Sequence, residues 1–491
     1  MPQEILINTL PCETRIALVK EGVLTECYIE KKNQHSLVGH IFRGRVLRVI
    51  SSIQAAFVDI GLPRAGFLHV KDICVIPGAG KNPGREQEND FPDIETLLHP
   101  GQMILVQVSK DTFSTKGVRL TTYFSLPARY LVLTPNQPEI AISQKISDPN
   151  EQSRLRQLFQ VENNNGYIFR TAAEKISNDL LTREKNYLDQ TWQTIIAQAK
   201  TAKVGEIIYS EMAAELRVLR DWITFDTECI RVDDEAAFLR MKQFLETMLP
   251  DFSERLLLHT SLLPIFDLYE TDKALQRALQ RTVYMKSNGY LVFDQTEAMT
   301  TIDVNTGSSL GQKFQSEFAL QTNLEAVKAI AGQVRLRNLG GIIIIDFIDM
   351  DDREHQNLLL STLKNAFLDD PARTEFSDVT RFGLVQMTRK RSRKSLLDSV
   401  CEPCPTCQCR GMIKSIETIA CEVIRAAQRA IESHPWQAIG LYVAPEVAYF
   451  IQNEAPEMIL TLATRSGRQV KLGGDGRYKR DQYDVLPLAE G

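Results

Sequence analysis

The chain has 491 residues, with 57 Lys and Arg against 62 Asp and Glu, a net charge of −5. With 43% hydrophobic and 24% charged residues its composition is that of ordinary globular protein, which excludes large-scale disorder; the length suggests about three to five domains, each able to bury a core. No apolar run reaches the ~18 residues of a membrane span and the first residues carry no secretory leader, so a cytoplasmic protein without a membrane partner is expected, and mild acidity excludes binding nucleic acid through a uniformly basic surface.

Alternation at Ile5 and Ile7, Ile16 and Leu18, and Leu24 and Ile29 predicts three short strands over residues 4–30. Pro11-Cys12 and Glu21-Gly22 are the turns between them. Three strands cannot close a core alone, so later segments must complete the sheet. Residues 37–123 are strand-rich and punctuated by Gly39, Gly44, Gly61, Gly66, Gly101 and Gly117, with a polar surface loop over 77–93. Aromatic and basic residues interleave there: Phe42, Arg43, Arg45, Arg48, Phe57, Arg64, Phe67 and His69. Small barrels stack bases on exposed aromatics beside a positive groove, although spacing alone favours Phe57 and Phe67 as core residues.

Residues 130–133 and 167–169 read as short strands and 184–199 as a helix. Arg170 and Thr171 end the second strand. A guanidinium fork beside a hydroxyl suits a phosphate, while sequence alone favours an ordinary surface arginine. Residues 206–285 are mostly helical, with a strand at 230–232 able to join the N-terminal sheet.

The segment 290–394 carries the chemistry. Strands at 290–293 and 299–304 are joined by a turn, and a helix from about 317 to 338 follows, striped by Leu320, Leu324, Val327, Ala331 and Val334 and ended by Gly340-Gly341. A buried strand at 342–345, a helix over 354–368 and a strand at 382–387 complete a β-α-β-α-β pattern. Such crossovers make parallel strands, whose carboxyl ends share one edge where ligands bind. That edge would collect Asp303 and Asn305, then Asp346 and Asp349, then the cations Arg389, Lys390, Arg391, Arg393 and Lys394. Two carboxylates suit one magnesium ion, and a cationic run suits a phosphodiester. Singly, Asp303 and Asp346 would be caps and the basic run a solvated face; together they favour metal-assisted phosphodiester chemistry.

Five of the nine cysteines are scattered singly; the others are Cys401, Cys404, Cys407 and Cys409. Spacing this tight is cramped for one tetrahedral zinc, so a Cys404–Cys407 pair completed by a second chain is sterically easier. Ile416, Ile419, Val423, Ala427 and Ile431 form a helix stripe, and the remaining tail reads as a small α/β domain.

Several strings carry a resemblance. GHIFRGRV (39–46), AFVDIG (56–61) and GFLHVKDI (66–73) resemble the S1-type OB-fold RNA-binding domain. QTEAMTTIDVNTG (295–307), RLRNLGGIIIIDFIDM (335–350) and MTRKR (387–391), with the Asn8-to-Arg15 pattern N-x-x-P-x-E-T-R, resemble the ribonuclease E/G family of bacterial endoribonucleases, in its shorter branch without a long disordered tail. The resemblance implies an α+β and α/β multidomain chain. Its segments would be an RNase H-like domain from 1–36 and 215–280, an S1-type barrel at 37–123, a 5′-phosphate sensor at 124–214, a DNase I-like catalytic domain at 281–400, a zinc-link at 401–411 and a small C-terminal domain at 412–491.

It further implies a Mg²⁺-dependent endoribonuclease on single-stranded AU-rich RNA, acting in ribosomal RNA 5′-end maturation and mRNA decay and leaving 5′-phosphate and 3′-hydroxyl ends. Asp303 and Asp346 match the metal-binding aspartates, Asn305 the supporting amide, and Phe57, Phe67 and Lys116 the RNA-binding positions. Arg170 and Thr171 match the 5′-monophosphate sensor. Cys404 and Cys407 match an intersubunit Zn²⁺ ligand pair, implying a homodimer or higher oligomer; Cys409 departs from the family pattern, which has glycine there. A non-catalytic RNA-binding scaffold and a DNA-directed phosphodiesterase are the rival readings.

Overall fold

A computed structural model describes residues 2–31, 36–74, 91–111, 117–161, 164–307, 315–391, 393–407 and 410–488. They fall into two compact units, Met1–Ser399 and Val400–Gly491, both mixing helices and strands. Among the described residues no helix is long and apolar enough to cross a membrane.

The first unit begins with an antiparallel meander, Gln3–Leu10, Glu13–Lys20 and Val23–Lys31. Thr227–Val232 pairs parallel to its first strand and Leu256–Leu258 extends the sheet. Helices Ala214–Trp222 and Glu235–Met248 then bury Ile5, Ile7, Ile16 and Leu18. Gln3 Nε2 donates to Thr227 Oγ1 at 2.9 Å, tying together residues 224 apart in sequence.

Between these halves the chain builds a closed five-stranded barrel. Ile41–Ile50 pairs with Ala55–Asp59, which pairs with Gly66–His69. Arg119–Thr121 lies parallel to the last of these, and Met103–Lys110 closes back onto Ile41–Ile50. Phe42, Val46, Val58, Leu68, Val106 and Leu120 fill it. This closure by one parallel pairing is OB-type architecture. A further small sheet, with Leu131–Thr134 paired to Gly166–Phe169, packs on the helix Asn178–Thr201 through Leu188, Trp192 and Ile195.

The unit ends in a six-stranded sheet ordered Thr282–Tyr284, Tyr290–Gln295, Met299–Asn305, Gly341–Asp346, Leu384–Arg389 and Thr374–Phe376. Helices Gln315–Leu336 and Arg353–Ala366 cover one face, burying Ile302, Val304, Ile343, Ile345, Val327, Ile330 and Leu363. Strands 299–305 and 341–346 are parallel, as their crossover helix requires. The third strand corrects the expectation of an all-parallel edge, because Leu384–Arg389 runs antiparallel to Gly341–Asp346. The second crossover leads instead to Thr374–Phe376 at the sheet edge, and a hairpin returns the chain between the two. Gly383, at φ +75°, turns that hairpin; a Cβ there would also lie 3.0 Å from Asp349 Oδ1.

In the second unit Ala438–Val443 lies between Gln469–Gly474, parallel, and Tyr483–Pro487, antiparallel. The helix Ile416–Ser433 buries Ile419, Ala420, Val423 and Ala427 against this sheet, as its stripe foretold. The helix Glu457–Ser466 and the last strand were not anticipated.

Candidate active site

Strand alternation puts the chemistry on the sheet face that the helices leave uncovered. In Met299–Asn305, Thr300, Ile302 and Val304 are buried while Asp303 is exposed and Asn305 half-buried on the other face. In Gly341–Asp346, Ile343 and Ile345 are buried and Asp346 is exposed. Asp303 stands beside Asp346 in the parallel register, so a strand spacing of about 4.8 Å sets the two carboxylates side by side. Asn305 Nδ2 donates to Asp303 Oδ2 at 2.8 Å.

Burial pushes the Asp346 carboxyl above its ordinary value, and the charges of Asp303 and Asp349 push it the same way. Crowded like charges are relieved by a proton or by a cation. Two carboxylates and an amide are the donor set of a hard divalent ion that keeps several waters. Among the described residues neither aspartate caps a backbone N–H. Asp303 takes its hydrogen bond from a side chain, and Asp352, not Asp346, caps the next helix by accepting from the Glu354 N–H at 2.8 Å.

One positioning residue escaped the sequence reading. Asn323, fully buried on the crossover helix, donates to the Ile348 carbonyl at 2.9 Å and accepts from the Ile348 N–H at 3.0 Å. This two-way amide clamp fixes the chain two residues past Asp346. Its only signal was an amide set within the apolar face of a helix.

The basic run does not reach this site. Arg389 pairs with Gly341, at the far end of the strand from Asp346, about 17 Å away at the usual rise per residue. Arg389 is buried, with Nε and Nη2 each 3.0 Å from the Asp370 carboxylate and Nη1 2.8 Å from the Leu339 carbonyl. Arg393 stacks its guanidinium 5.2 Å from the Tyr28 ring centroid and 5.8 Å from that of Trp222. Arg391 donates to the Gly340 carbonyl at 2.9 Å. These arginines hold elements of the unit together, which corrects their reading as a cationic neighbour of the aspartates.

On the barrel, Phe57 and Phe67 face outward as a cross-strand pair, their centroids 5.8 Å apart, while Ala56, Val58 and Leu68 point into the core. Arg48 lies 4.5 Å over Phe57 and His69 6.4 Å from Phe67. The half-exposed rings thus depart from the core assignment that spacing favoured, and an aromatic pair roofed by a cation suits base stacking. Lys116 lies outside the described residues.

Arg170 ends the strand Gly166–Phe169, and its N–H bonds the Tyr130 carbonyl. Its Nη1 donates to the Ala128 carbonyl at 2.8 Å and to Asp221 Oδ1 at 2.7 Å, so it is held in place, unlike an ordinary surface arginine. Burial pushes the Asp221 carboxyl up, but hydrogen bonds and charge from Arg220, with Arg170, outweigh it and hold it below its ordinary value. Thr171 Oγ1 lies 2.8 Å from Ser143 Oγ.

In the second unit Cys401 and Cys404 are exposed and Cys407 is half-buried; Cys409 lies outside the described residues. Hydrogen bonds from the backbone of Cys407 and Thr406 hold the Cys404 thiol below its ordinary value, which favours the thiolate a metal needs. Among the described residues no group of three or more His, Cys, Asp or Glu is gathered for a metal, so each candidate metal site offers a pair.

Comparison with known proteins converges on one family. A family model described as the Ribonuclease E/G family matches residues 125–392, and a second, described as the RNase E/G thioredoxin-like domain, matches residues 403–488. Ribonuclease G of Escherichia coli (strain K12) is 40% identical over 491 residues, covering 99% of this chain and 100% of that protein. Ribonuclease G of Haemophilus influenzae is likewise 40% identical over 493 residues, covering 99% of each. Ribonuclease E of Escherichia coli (strain K12) is 32% identical over 495 residues, which are 100% of this chain and 46% of that protein.

Proposed function

Because the chain belongs to the ribonuclease E/G family, we propose that it is an endoribonuclease whose reaction centre is the Asp303, Asn305 and Asp346 cluster. The register pairing of Asp303 with Asp346 on an uncovered sheet face carries this reading. Asp303 and Asp346 would hold a magnesium ion; when bound, that ion supplies charge stabilisation at the phosphodiester and a more acidic water. Asn305 fixes the orientation of the Asp303 carboxylate through its amide. Asn323 holds the Asp346 loop, so the carboxylates meet the substrate already arranged, with little reorganisation during reaction. In the hydrolysis the water oxygen bonds to phosphorus as the bond to the 3′ oxygen breaks. The proton ends on that oxygen, leaving a 5′-phosphate and a 3′-hydroxyl.

The substrate in this reading is single-stranded, AU-rich RNA, in ribosomal RNA precursors and in mRNA. Phe57 and Phe67 would stack its bases. The decisive experiment incubates the protein with end-labelled RNA and DNA, with and without EDTA, and identifies the product ends. The expected result is cleavage of RNA only with Mg²⁺, leaving 5′-phosphates. Binding without cleavage would make the chain a scaffold, and equal cleavage of DNA would make it a general phosphodiesterase.

Arg170 and Thr171 form the proposed 5′-monophosphate sensor. Among the described residues both side-chain hydrogen bonds of Arg170 use Nη1, so its Nε and Nη2 donors are the ones a phosphate would meet. Wild type should cut 5′-monophosphorylated RNA about ten- to a hundredfold faster than 5′-hydroxyl RNA, as charge-assisted hydrogen bonds allow, and Arg170→Ala should erase the difference. Equal rates with wild type would refute the sensor.

Cys404 and Cys407 would hold a zinc ion together with the same pair of a second copy, making a two-fold dimer. Metal analysis of the purified protein then gives one zinc per two chains. Equimolar zinc would point to ligands within one chain.

A further inference from the structure

We infer that Tyr284 and Tyr290 form a base-stacking shelf beside the reaction centre, which holds a nucleobase next to the scissile phosphate of single-stranded RNA. The inference rests on the proposed reading of Asp303, Asn305 and Asp346.

The strand registers place these rings. Tyr290 stands directly opposite Asn305, and Tyr284 directly opposite Tyr290. The next row of the same face runs Thr282, Val292, Asp303, Asp346. Val283, Leu291 and Phe293 pack into the core beneath, so alternation turns Tyr284 and Tyr290 to the face that bears the carboxylates. The ring centroids are 6.2 Å apart at an interplanar angle of 53°. Tyr284 is 78% exposed on an outermost strand, so its ring contributes little to the core. With strands about 4.8 Å apart, Tyr290 is one strand and Tyr284 two strands from Asn305, some 10 Å in all. A base attached to a phosphate at the carboxylates can lie on this pair.

The electrostatics of the face explain why an aromatic hold is useful there. Arg389, Arg391 and Arg393 are engaged elsewhere, at or beyond the far end of the strand, so they do not grip the phosphates flanking the carboxylates. Stacking grips the base instead of the phosphate. It tolerates any sequence because every base has a π-face. The barrel pair Phe57 and Phe67 would serve another base in the same way.

The test uses the full-length protein with Mg²⁺ and an end-labelled single-stranded RNA containing one cleavage site. An abasic nucleotide is moved in turn through the positions flanking that site. Tyr284→Ala should lower kcat/KM about tenfold with an unchanged melting temperature, and Tyr284→Phe should retain the wild-type value, since stacking needs no hydroxyl. At one flanking position the abasic substitution should slow the wild type by the same factor yet leave Tyr284→Ala unaffected. Wild-type kcat/KM in Tyr284→Ala, or abasic losses that multiply with it at every position, overturns the shelf. A change of sedimentation mass without abasic coupling also overturns it, in favour of contact with a second copy. If wild type cuts no RNA at all, the endoribonuclease reading itself fails and takes the shelf with it.

Discussion

Replacing Asp303 by Asn should lower magnesium-dependent cleavage of single-stranded RNA by at least about 10²–10³-fold, the scale on which one well-placed electrostatic contact contributes to a transition state. The substitution keeps the size and shape of the side chain, and position 303 is exposed, so the sheet should fold normally. It removes one of the charges that raise the Asp346 carboxyl. The sign of the accompanying stability change follows. A carboxyl raised above its unfolded value makes the native state less stable once pH exceeds that unfolded value, and the penalty disappears in acid. Asp303→Asn should therefore be at least as stable as wild type at neutral pH without metal, and should gain less from added Mg²⁺. Single-turnover cleavage and melting curves with and without Mg²⁺ measure both effects. Full cleavage by the variant would remove Asp303 from the chemistry.

Arg389→Ala should act on stability with equal force. Its guanidinium and the Asp370 carboxylate are 4% and 0% exposed, and two hydrogen bonds of 3.0 Å join them. Removing only the arginine strands a buried carboxylate, which costs about 3–5 kcal/mol. Replacing both partners, as in Arg389→Met with Asp370→Leu, should recover most of that, because the buried carboxylate is then gone as well. Hydrogen exchange at the amides of Gly341–Asp346, the neighbouring strand, reports the loss locally within a chain of several domains. Unchanged protection together with weakened RNA binding would restore Arg389 to a phosphate-binding role.

The contrast between these two residues shows what the sequence could convey. Asp303, Asn305 and Asp346 were legible because side-chain alternation and a parallel crossover are local rules, and both strands obey them. The placement of Arg389 was not legible. It depended on the three-residue strand Thr374–Phe376, too short to show a period, which took the crossover's parallel position and sent the next strand back. Phe57 and Phe67 were misjudged by spacing, since an outward and an inward residue of a barrel strand differ only in phase. The anchoring of Arg170 by Asp221 joins residues 51 apart, so no local pattern could announce it. Asn323 was hidden for a similar reason: its clamp is made to backbone, which has no signature in a list of side chains.

The pairing of Gln3–Leu10 with Thr227–Val232 also sets a timetable for synthesis. At roughly 5–20 residues per second, the partner strand leaves the ribosome on the order of 10–45 s after the first one. Closing a loop that long adds little equilibrium penalty compared with a short one, but it must wait for the intervening chain. The barrel, whose strands all lie within Ile41–Ile50 to Arg119–Thr121, can close meanwhile. The nascent N-terminal meander is left with an unpaired edge along Gln3–Leu10 throughout that interval, and an unpaired edge is a template for pairing with a neighbouring chain. Crowded polysomes are therefore where this protein is most exposed to misassembly, before any part of its reaction centre has been made.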